Sequence, residues 1–328
     1  MEKQEMVDSE ALYRRGVETG FTEPPPRKVM SPLIDVHTHA GVGSDTPQLL
    51  AAAQLYHVAR LVTIAALQES LELAGRYPGR TVPAATLLYE HRQEADRFAA
   101  ENIELLQAGE AAGLRVVKFW FKPPFNVRMN LKLDDRRLDP IFAEMERLRL
   151  VALVHIADPD IWWIKYYSDR SIYDTKEVTY LQIEHRLSAN PGVPFILAHF
   201  GGDPEHLDHL DRLLSTYPNL YLDTSATKWI VRELGRQREA AREFCQRWSG
   251  RLLFGTDQVV INHSEPARYT SRYWIHQVFW ETDIVCPLPI ADPDSEGQPL
   301  IRGLDLPAEV LAAIYHDNAV RVLRLPDV

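Results

Sequence analysis

Two histidines at the end of a short apolar run are the first sign of chemistry in this chain. In Leu33-Ile34-Asp35-Val36-His37-Thr38-His39 the run stops at His-x-His, and Ala40-Gly41 follows. Residues i and i+2 of a strand point to one face, so His37 and His39 present two imidazoles side by side. Two neutral imidazoles on one rigid edge make half of a metal site. Other chemistry-bearing side chains end apolar runs in the same way: Lys118, His155, His199, Asp223 and Asp257. A single histidine after such a run is most simply a hydrogen-bonded wall residue. A whole set at the ends of successive runs points to one shared site.

The elements that must position these groups alternate. Short β-branched runs predict strands at 33–37, 60–66, 81–88, 115–119, 151–155, 193–199, 220–224 and 251–255. Helical spacing predicts helices at 46–57, 69–77, 95–112, 138–149, 176–189, 204–217, 231–248 and 307–325. Eight strands alternating with helices, several of them continuously apolar, predict an α/β protein with a closed parallel (β/α)8 (TIM) barrel rather than an open doubly wound sheet. Barrel enzymes place their chemistry at the C-terminal strand ends, and closure brings those ends to one axis. Residues 1–32 read as an N-terminal extension with a short helix at 11–16 that Pro24-Pro25-Pro26 breaks. Residues 33–328 read as a single barrel with a long loop insertion at about 259–304.

Composition narrows the function classes. The 328 residues are 45% hydrophobic and 25% charged, which suits a globular protein with an ample core. A net charge of −10 argues against nucleic acid and anionic membranes as partners, leaving a small-molecule substrate. The two cysteines, Cys245 and Cys286, suggest no disulfide framework. Met1–Arg15 is charged and lacks the apolar core of a signal peptide, and no apolar run approaches the ~20 residues of a membrane span. A cytoplasmic enzyme is the expectation, with a homo-oligomer, by default a dimer, as its assembly.

The segments Asp35-Val-His37-Thr-His39, Val154-His155-Ile-Ala-Asp-Pro, Leu197-Ala-His199-Phe-Gly-Gly, Tyr217-Pro-Asn-Leu-Tyr-Leu-Asp223, Leu253-Phe-Gly-Thr-Asp257 and Asn318-Ala-Val-Arg-Val-Leu, taken together, resemble the amidohydrolase superfamily. Within it they are similar to the amidohydrolase-2 group, which also contains decarboxylases and lactone hydrolases. The resemblance spans residues 33–325. It implies His37, His39, His155 and Asp257 as ligands of one divalent metal, and His199 as a catalytic acid/base or a second-metal ligand. Lys118 stands where two-metal members carry a carboxylated bridging lysine. The following Phe119-Trp-Phe-Lys122-Pro-Pro departs from a clear bridging site, which favours one metal and leaves Lys118 to a substrate oxygen or carboxylate.

Three imidazoles and one carboxylate fit Zn²⁺ well, and Mn²⁺ or Fe²⁺ less selectively. The leading expectation is a metal-dependent hydrolase of a small amide, ester or lactone. Asp257 would take a proton from water and pass it to the leaving group, and His199 would polarise the substrate carbonyl. The alternative is a metal-dependent decarboxylase or lyase acting on an unsaturated or aromatic acid, with Asp257 or His199 as proton donor. A non-catalytic barrel would predict a lost ligand position, and none is lost.

Two loops bear on the pocket. The stretch from Asp158 to Arg170 carries Trp162, Trp163, Tyr166 and Tyr167 with Lys165 and Arg170, which makes Trp162 and Arg170 substrate-binding candidates or, equally, parts of a packed loop. The insertion carries Tyr269, Tyr273, Trp274, His276, Phe279 and Trp280 and reads as lid, interface or disorder. Asp223 either contacts substrate, orients His199 or binds a loop backbone. His57, His91, His185, His206, His209 and His316 read as solvated or helix-capping. Arg232, Arg236, Arg238 and Arg242 with Glu233, Glu239 and Glu243 read as an ion-paired helix face.

Overall fold

The computed structural model describes residues 9–43, 45–295 and 297–326. Nine parallel strands form its sheet: β1 (Leu33–His39), β2 (Val58–Ala65), β3 (Thr81–Thr86), β4 (Val116–Trp120), β5 (Val151–His155), β6 (Phe195–Leu197), β7 (Leu220–Asp223), β8 (Leu252–Leu253) and β9 (Gln258–Val259). Their order is β8-β7-β6-β5-β4-β3-β2-β1-β9. β8 and β9 are two pieces of one strand position. β8 pairs with β7 through Leu222 and Leu252, and β9 pairs with β1 through Thr38 and Gln258. Between the pieces, Val36 N–H donates to the Phe254 carbonyl (2.9 Å) and Asp257 N–H to the His37 carbonyl (2.8 Å). These bonds close the sheet, and the fold is a TIM barrel.

The strands form where the apolar runs lie because each is covered on both faces. Ile34, Val36, Val62, Ile64, Val82, Ala84, Val116, Leu153, Ile196 and Leu253 fill the barrel, with Ala319, Val322 and Leu323 of the closing helix packed on them. The opposite parity faces the surrounding helices, as with Phe119 against Phe142 and Phe142 against Phe195.

Strict alternation has a difficulty at β1. Ile34 and Val36 point into the barrel, so His37 and His39 should point out. A bulge resolves it: Asp35 pairs with Leu61 and Thr38 with Thr63, so β1 spends one more residue than β2 over that step. An extra residue flips the following side chains to the other face. It turns both imidazoles inward.

Two expected helices are interrupted. Residues 231–248 form Thr227–Arg236 and Arg238–Arg247, broken at Gln237 (φ −129°, ψ 49°), whose side-chain amide donates to the carbonyls of Pro204 and Glu205. The closing helix widens into a π-turn over Ala313–Asp317, where the Ile314 carbonyl accepts from Phe254 N–H of the eighth strand. π-turns free a carbonyl for such an outside partner.

The 259–304 stretch carries regular structure. It contains a helix, Ala267–Glu281, and an antiparallel pair, β10 (Val285–Pro287) with β11 (Leu300–Arg302). The aromatics that suggested a lid are core: Tyr269, Trp274, Phe279 and Trp280 have no exposed surface. The N-terminal segment wraps this helix, with Phe21 and Tyr13 on Trp274 and the Pro25 carbonyl accepting from Gln277. The supposed ion-paired face on Thr227–Arg236 is also partly interior. Arg232 and Glu233 are buried and paired, and Asp292 joins them from the loop between β10 and β11.

His276 on this helix yields a stability prediction. Trp280 Nε1–H donates to its Nδ1 (3.1 Å), so Nε2 carries the proton and donates to Thr227 Oγ1 (3.0 Å). Burial lowers its pKa to about 3. As pH falls below the unfolded value of ~6.5, the unfolded chain takes up a proton that native His276 refuses, so stability is lost between there and about 3. This group alone should remove about 2 kcal/mol between pH 7 and pH 5. Denaturant unfolding at the two pH values should show a shallower loss in His276→Gln; an equal loss in both proteins contradicts the assignment.

Candidate functional site

The strand ends converge on a buried cluster of four imidazoles, two carboxylates and one lysine. His37 has no exposed surface. Its Nδ1–H donates to Asp223 Oδ2 (2.8 Å), which leaves Nε2 as a lone pair facing Lys118 Nζ (2.9 Å) and Asp257 Oδ1 (3.4 Å). His39 Nε2 lies 3.0 Å from the same Asp257 oxygen. One ring nitrogen each of His37 and His39 and one carboxylate oxygen of Asp257 lie within 4.8 Å of one another.

His199 and His155 close the other side. The Ser225 hydroxyl donates to Asp223 Oδ1, so it can only accept from His199 Nδ1–H (2.8 Å). Asp158 Oδ1 accepts from His155 Nε2–H (2.8 Å) and is itself held through Oδ2 by the Tyr167 hydroxyl (2.6 Å). The inner nitrogens, His199 Nε2 and His155 Nδ1, then face each other as two lone pairs at 3.3 Å. The outer nitrogens of His37, His155 and His199 are therefore held by acceptors, and the inner lone pairs aim at one space. This is the orientation that metal-ligating histidines adopt. Facing lone pairs and an ionised carboxylate are a donor set that suits a divalent cation.

The loops that carry these groups are held tightly. Asp257 (φ 57°) and His199 (φ 60°) both adopt the left-handed region, a cost of about 1 kcal/mol or more each that the surroundings must hold in place. Asp35 does so for Asp257: its carboxylate accepts from Thr256 N–H (3.1 Å), Thr256 Oγ1–H (2.6 Å), His37 N–H (3.2 Å) and Tyr273 OH (3.1 Å). Gly255 allows the approach, since a Cβ there would lie 3.1 Å from His37 Cβ. Gly202 (φ +71°) does the same after β6, where a Cβ would lie 2.1 Å from the Ala157 carbonyl oxygen.

Burial and the neighbouring charges set the protonation states. Burial pushes His37 down to about 4, and Lys118 adds to it. Burial and the adjacent His155 hold His199 well below the usual histidine value. Burial lowers Lys118 to about 8, partly offset by Asp257 and Asp223. Burial opposes ionisation of Asp257, but His37, His39 and His199 outweigh it and hold the carboxyl well below its usual range. Near neutral pH His37 and His199 are therefore neutral, Asp257 is a carboxylate and Lys118 is mostly protonated.

The other candidates fall in different places. Asp223 is fully buried, and its two oxygens accept from His37 Nδ1, His199 N–H (2.8 Å), Ser225 N–H (3.0 Å) and the Ser225 hydroxyl. It positions the histidines and has no face left for a substrate. Trp162 packs on Trp229 (5.0 Å), which meets the His199 ring at 5.5 Å, and the Trp162 indole donates to Asp294 (2.9 Å). Arg170 is not brought to the cluster: it is exposed and donates to the Asp174 carbonyl (3.1 Å). His206 and His209, set aside in the sequence, meet Asp203 at 2.7 and 2.6 Å, and Asp160 completes a second group. Lys176 Nζ already sits 2.6 Å from Asp203 and 2.7 Å from Asp160, so an ammonium supplies the cation there.

Sequence reasoning missed Asp158, Ser225, Trp120 and Trp229. Asp158 and Ser225 stand three residues after His155 and two after Asp223, so spacing could have found them. The tryptophans carry no such signal. Trp120 follows Phe119 in β4, and its ring lies 5.2 Å from His39 and 5.1 Å from Lys118 Nζ.

Among solved structures, an uncharacterized TIM-barrel protein from Bordetella bronchiseptica is 18% identical, with a TM-score of 0.54 over 89% of this chain and 98% of the other. A dihydroorotase from Campylobacter jejuni is 13% identical, with a TM-score of 0.54 over 92% and 86% of the two chains. A 5-carboxyvanillate decarboxylase from Sphingomonas paucimobilis is 14% identical, with a TM-score of 0.50 over 90% and 100%. These likenesses show the barrel. No curated protein matches the chain. No helix among the described residues is long and apolar enough to cross a membrane. The amidohydrolase family model matches residues 34–325, and the chain belongs to that family, the amidohydrolase-2 group of the amidohydrolase superfamily of enzymes.

Proposed function

We propose that this protein is a metal-dependent hydrolase of a small amide, ester or lactone. The observation that carries the reading is Asp257: a carboxylate held ionised between His37 and His39, with 30% of its side chain open while His37 beside it is closed. The Asp257 side chain is more open to water and substrate than that of His39, at 15%, or His155, at 6%. His37, His39 and Asp257 would hold one divalent cation, with His155 joining through Nδ1. When bound, Zn²⁺ would polarise a carbonyl oxygen and bring the pKa of water towards ~7.

The residues divide the remaining work. Asp257 accepts the proton of the attacking water and returns it to the leaving nitrogen or oxygen. Lys118, still mostly protonated near neutral pH, donates to the oxyanion that develops on the substrate. The role first expected of His199, polarising the carbonyl, does not suit its tautomer: with Nδ1–H on Ser225, its inner nitrogen is an acceptor. His199 instead presents a lone pair to the cation or to a substrate proton. Buried Lys118 also favours a second reading, decarboxylation, since it would hold a carboxylate beside the cation.

Four experiments test this. Elemental analysis should find about one divalent ion per chain, absent from His37→Ala and retained in Lys118→Ala; two ions, one of them lost with Lys118, would replace this mechanism with a bridged site. Asp158→Asn should keep the fold and weaken cation affinity about 10- to 100-fold, because it releases the His155 ring; unchanged affinity would remove His155 from the ligand set. Asp257→Asn should retain the circular dichroism spectrum and lose roughly 10²–10⁴ in turnover on whichever lactone, ester or amide of a panel is cleaved. With that substrate, heavy-oxygen water should label the product acid; no cleavage across the panel together with CO2 release from an aromatic or unsaturated acid would favour the decarboxylase instead.

A further inference from the structure

We propose that the cleft between the last turn of the helix Thr227–Arg236 and β11 binds a phosphate dianion, at a site separate from the catalytic cluster. The cleft has a volume of about 490 Å³, within the range of small-molecule sites, and its walls include Arg232, Gly235, Arg238, Glu239, Gln298 and Arg302. The helix runs from one place to the other. Trp229 in its first turn meets the His199 ring, and Gly235 lies about 9 Å further along the axis. Arg302 of β11 packs there, since a Cβ on Gly235 would lie 3.6 Å from Arg302 Cβ.

Three guanidinium groups on these walls lack a full set of acceptors. Arg232 is buried, with 6% of its surface exposed. Its Nε donates to Glu233 and its Nη1 to Asp292, while Nη2 has no hydrogen-bond partner among the described residues. An unpaired buried donor on a charged group is costly, and an anion in the cleft supplies the missing acceptor. Arg238 and Arg302 are half-buried, and their side chains make no ion pair or hydrogen bond among the described residues. Arg238 thus departs from the ion-paired face that the sequence suggested. Most acids nearby are already taken: Glu233 holds Arg232 and Arg236 (2.7 Å), and Asp292 holds Arg232. The exposed Glu239 is the carboxylate left on the wall. Two unpaired arginines against one carboxylate make a cationic cleft in a protein of net charge −10.

A helix start adds backbone donors to the same wall. The helix Arg238–Arg247 begins there, and its N-cap Gln237 gives the first turn no side-chain acceptor. The Gln237 amide is held instead on the carbonyls of Pro204 and Glu205. The first N–H groups of a helix have no partner within it, and its positive end favours an anion. Guanidinium forks bind two oxygens of one anion at once, and backbone N–H groups bind a third. Together they suit a tetrahedral, doubly charged oxyanion, which is phosphate, either free or as a monoester.

Isothermal titration of the full chain with inorganic phosphate, at low ionic strength and after removal of divalent cations, tests the site. The wild type should bind saturably with a Kd below about 1 mM. Arg238→Gln and Arg302→Gln should each weaken binding about tenfold, and the double variant should abolish this site. Both substitutions should keep the circular dichroism spectrum, since neither side chain has a partner to lose. Arg247→Gln, an equal charge change on the same helix as Arg238 at an exposed site paired with Asp211, should leave the affinity unchanged. Malonate, a dianion with planar carboxylates, should bind more weakly than phosphate. Absence of saturable binding, an affinity that the double variant keeps, or malonate bound as tightly as phosphate overturns the proposal. Glycerol 3-phosphate bound tighter than inorganic phosphate assigns the site to an organic monoester; equal or weaker binding assigns it to free phosphate.

Discussion

The seam between β1 and the broken eighth strand is the constraint on which the site depends. The Val36–Phe254 and His37–Asp257 backbone bonds that close the barrel also set Asp257 against the two imidazoles of β1. Asp35 locks that seam by taking four hydrogen bonds from Thr256, His37 and Tyr273. Removing its carboxylate would leave several buried donors unpaired, at about 1–3 kcal/mol each. The left-handed backbone of Asp257 survives because this seam and Gly255 leave the chain no other course.

The cluster gains its character from groups that never reach the central space. Asp223, Ser225 and Asp158 accept from the outer nitrogens of His37, His199 and His155 and so decide which nitrogen of each ring is basic. Burial then keeps the His37 and His199 rings neutral. The same burial leaves Lys118 protonated but more readily deprotonated than a surface lysine. One low-dielectric pocket thus produces neutral ligands, a charged donor and an ionised base.

The mouth around the cluster is aromatic on two sides. Trp229 and Trp162 stand by His199, and Trp120 stands by His39. The aromatic helix Ala267–Glu281 lies elsewhere, with Trp274 packed under the N-terminal segment and Tyr273 reaching Asp35. Large side chains serve packing in one place and the pocket in another, and only their neighbours distinguish the two.

Much of the architecture was legible in the residues. The strand runs, their alternation with helices and the polar residues at their ends follow from burial on both faces of a parallel sheet, a local and periodic requirement. That requirement located β5 and the helix Lys176–Ala189 to the residue. It also showed that His37, His39, His155, His199, Lys118 and Asp257 would meet at one end, since closure follows from the strand count. Other features depended on contacts between distant segments. The bulge in β1, the break at Gln237, the buried role of Tyr269–Trp280, the positioning duty of Asp223 and the remoteness of Arg170 follow no period in the sequence. Each is fixed by what packs or hydrogen-bonds against it from another part of the chain, and only the folded barrel supplies those partners.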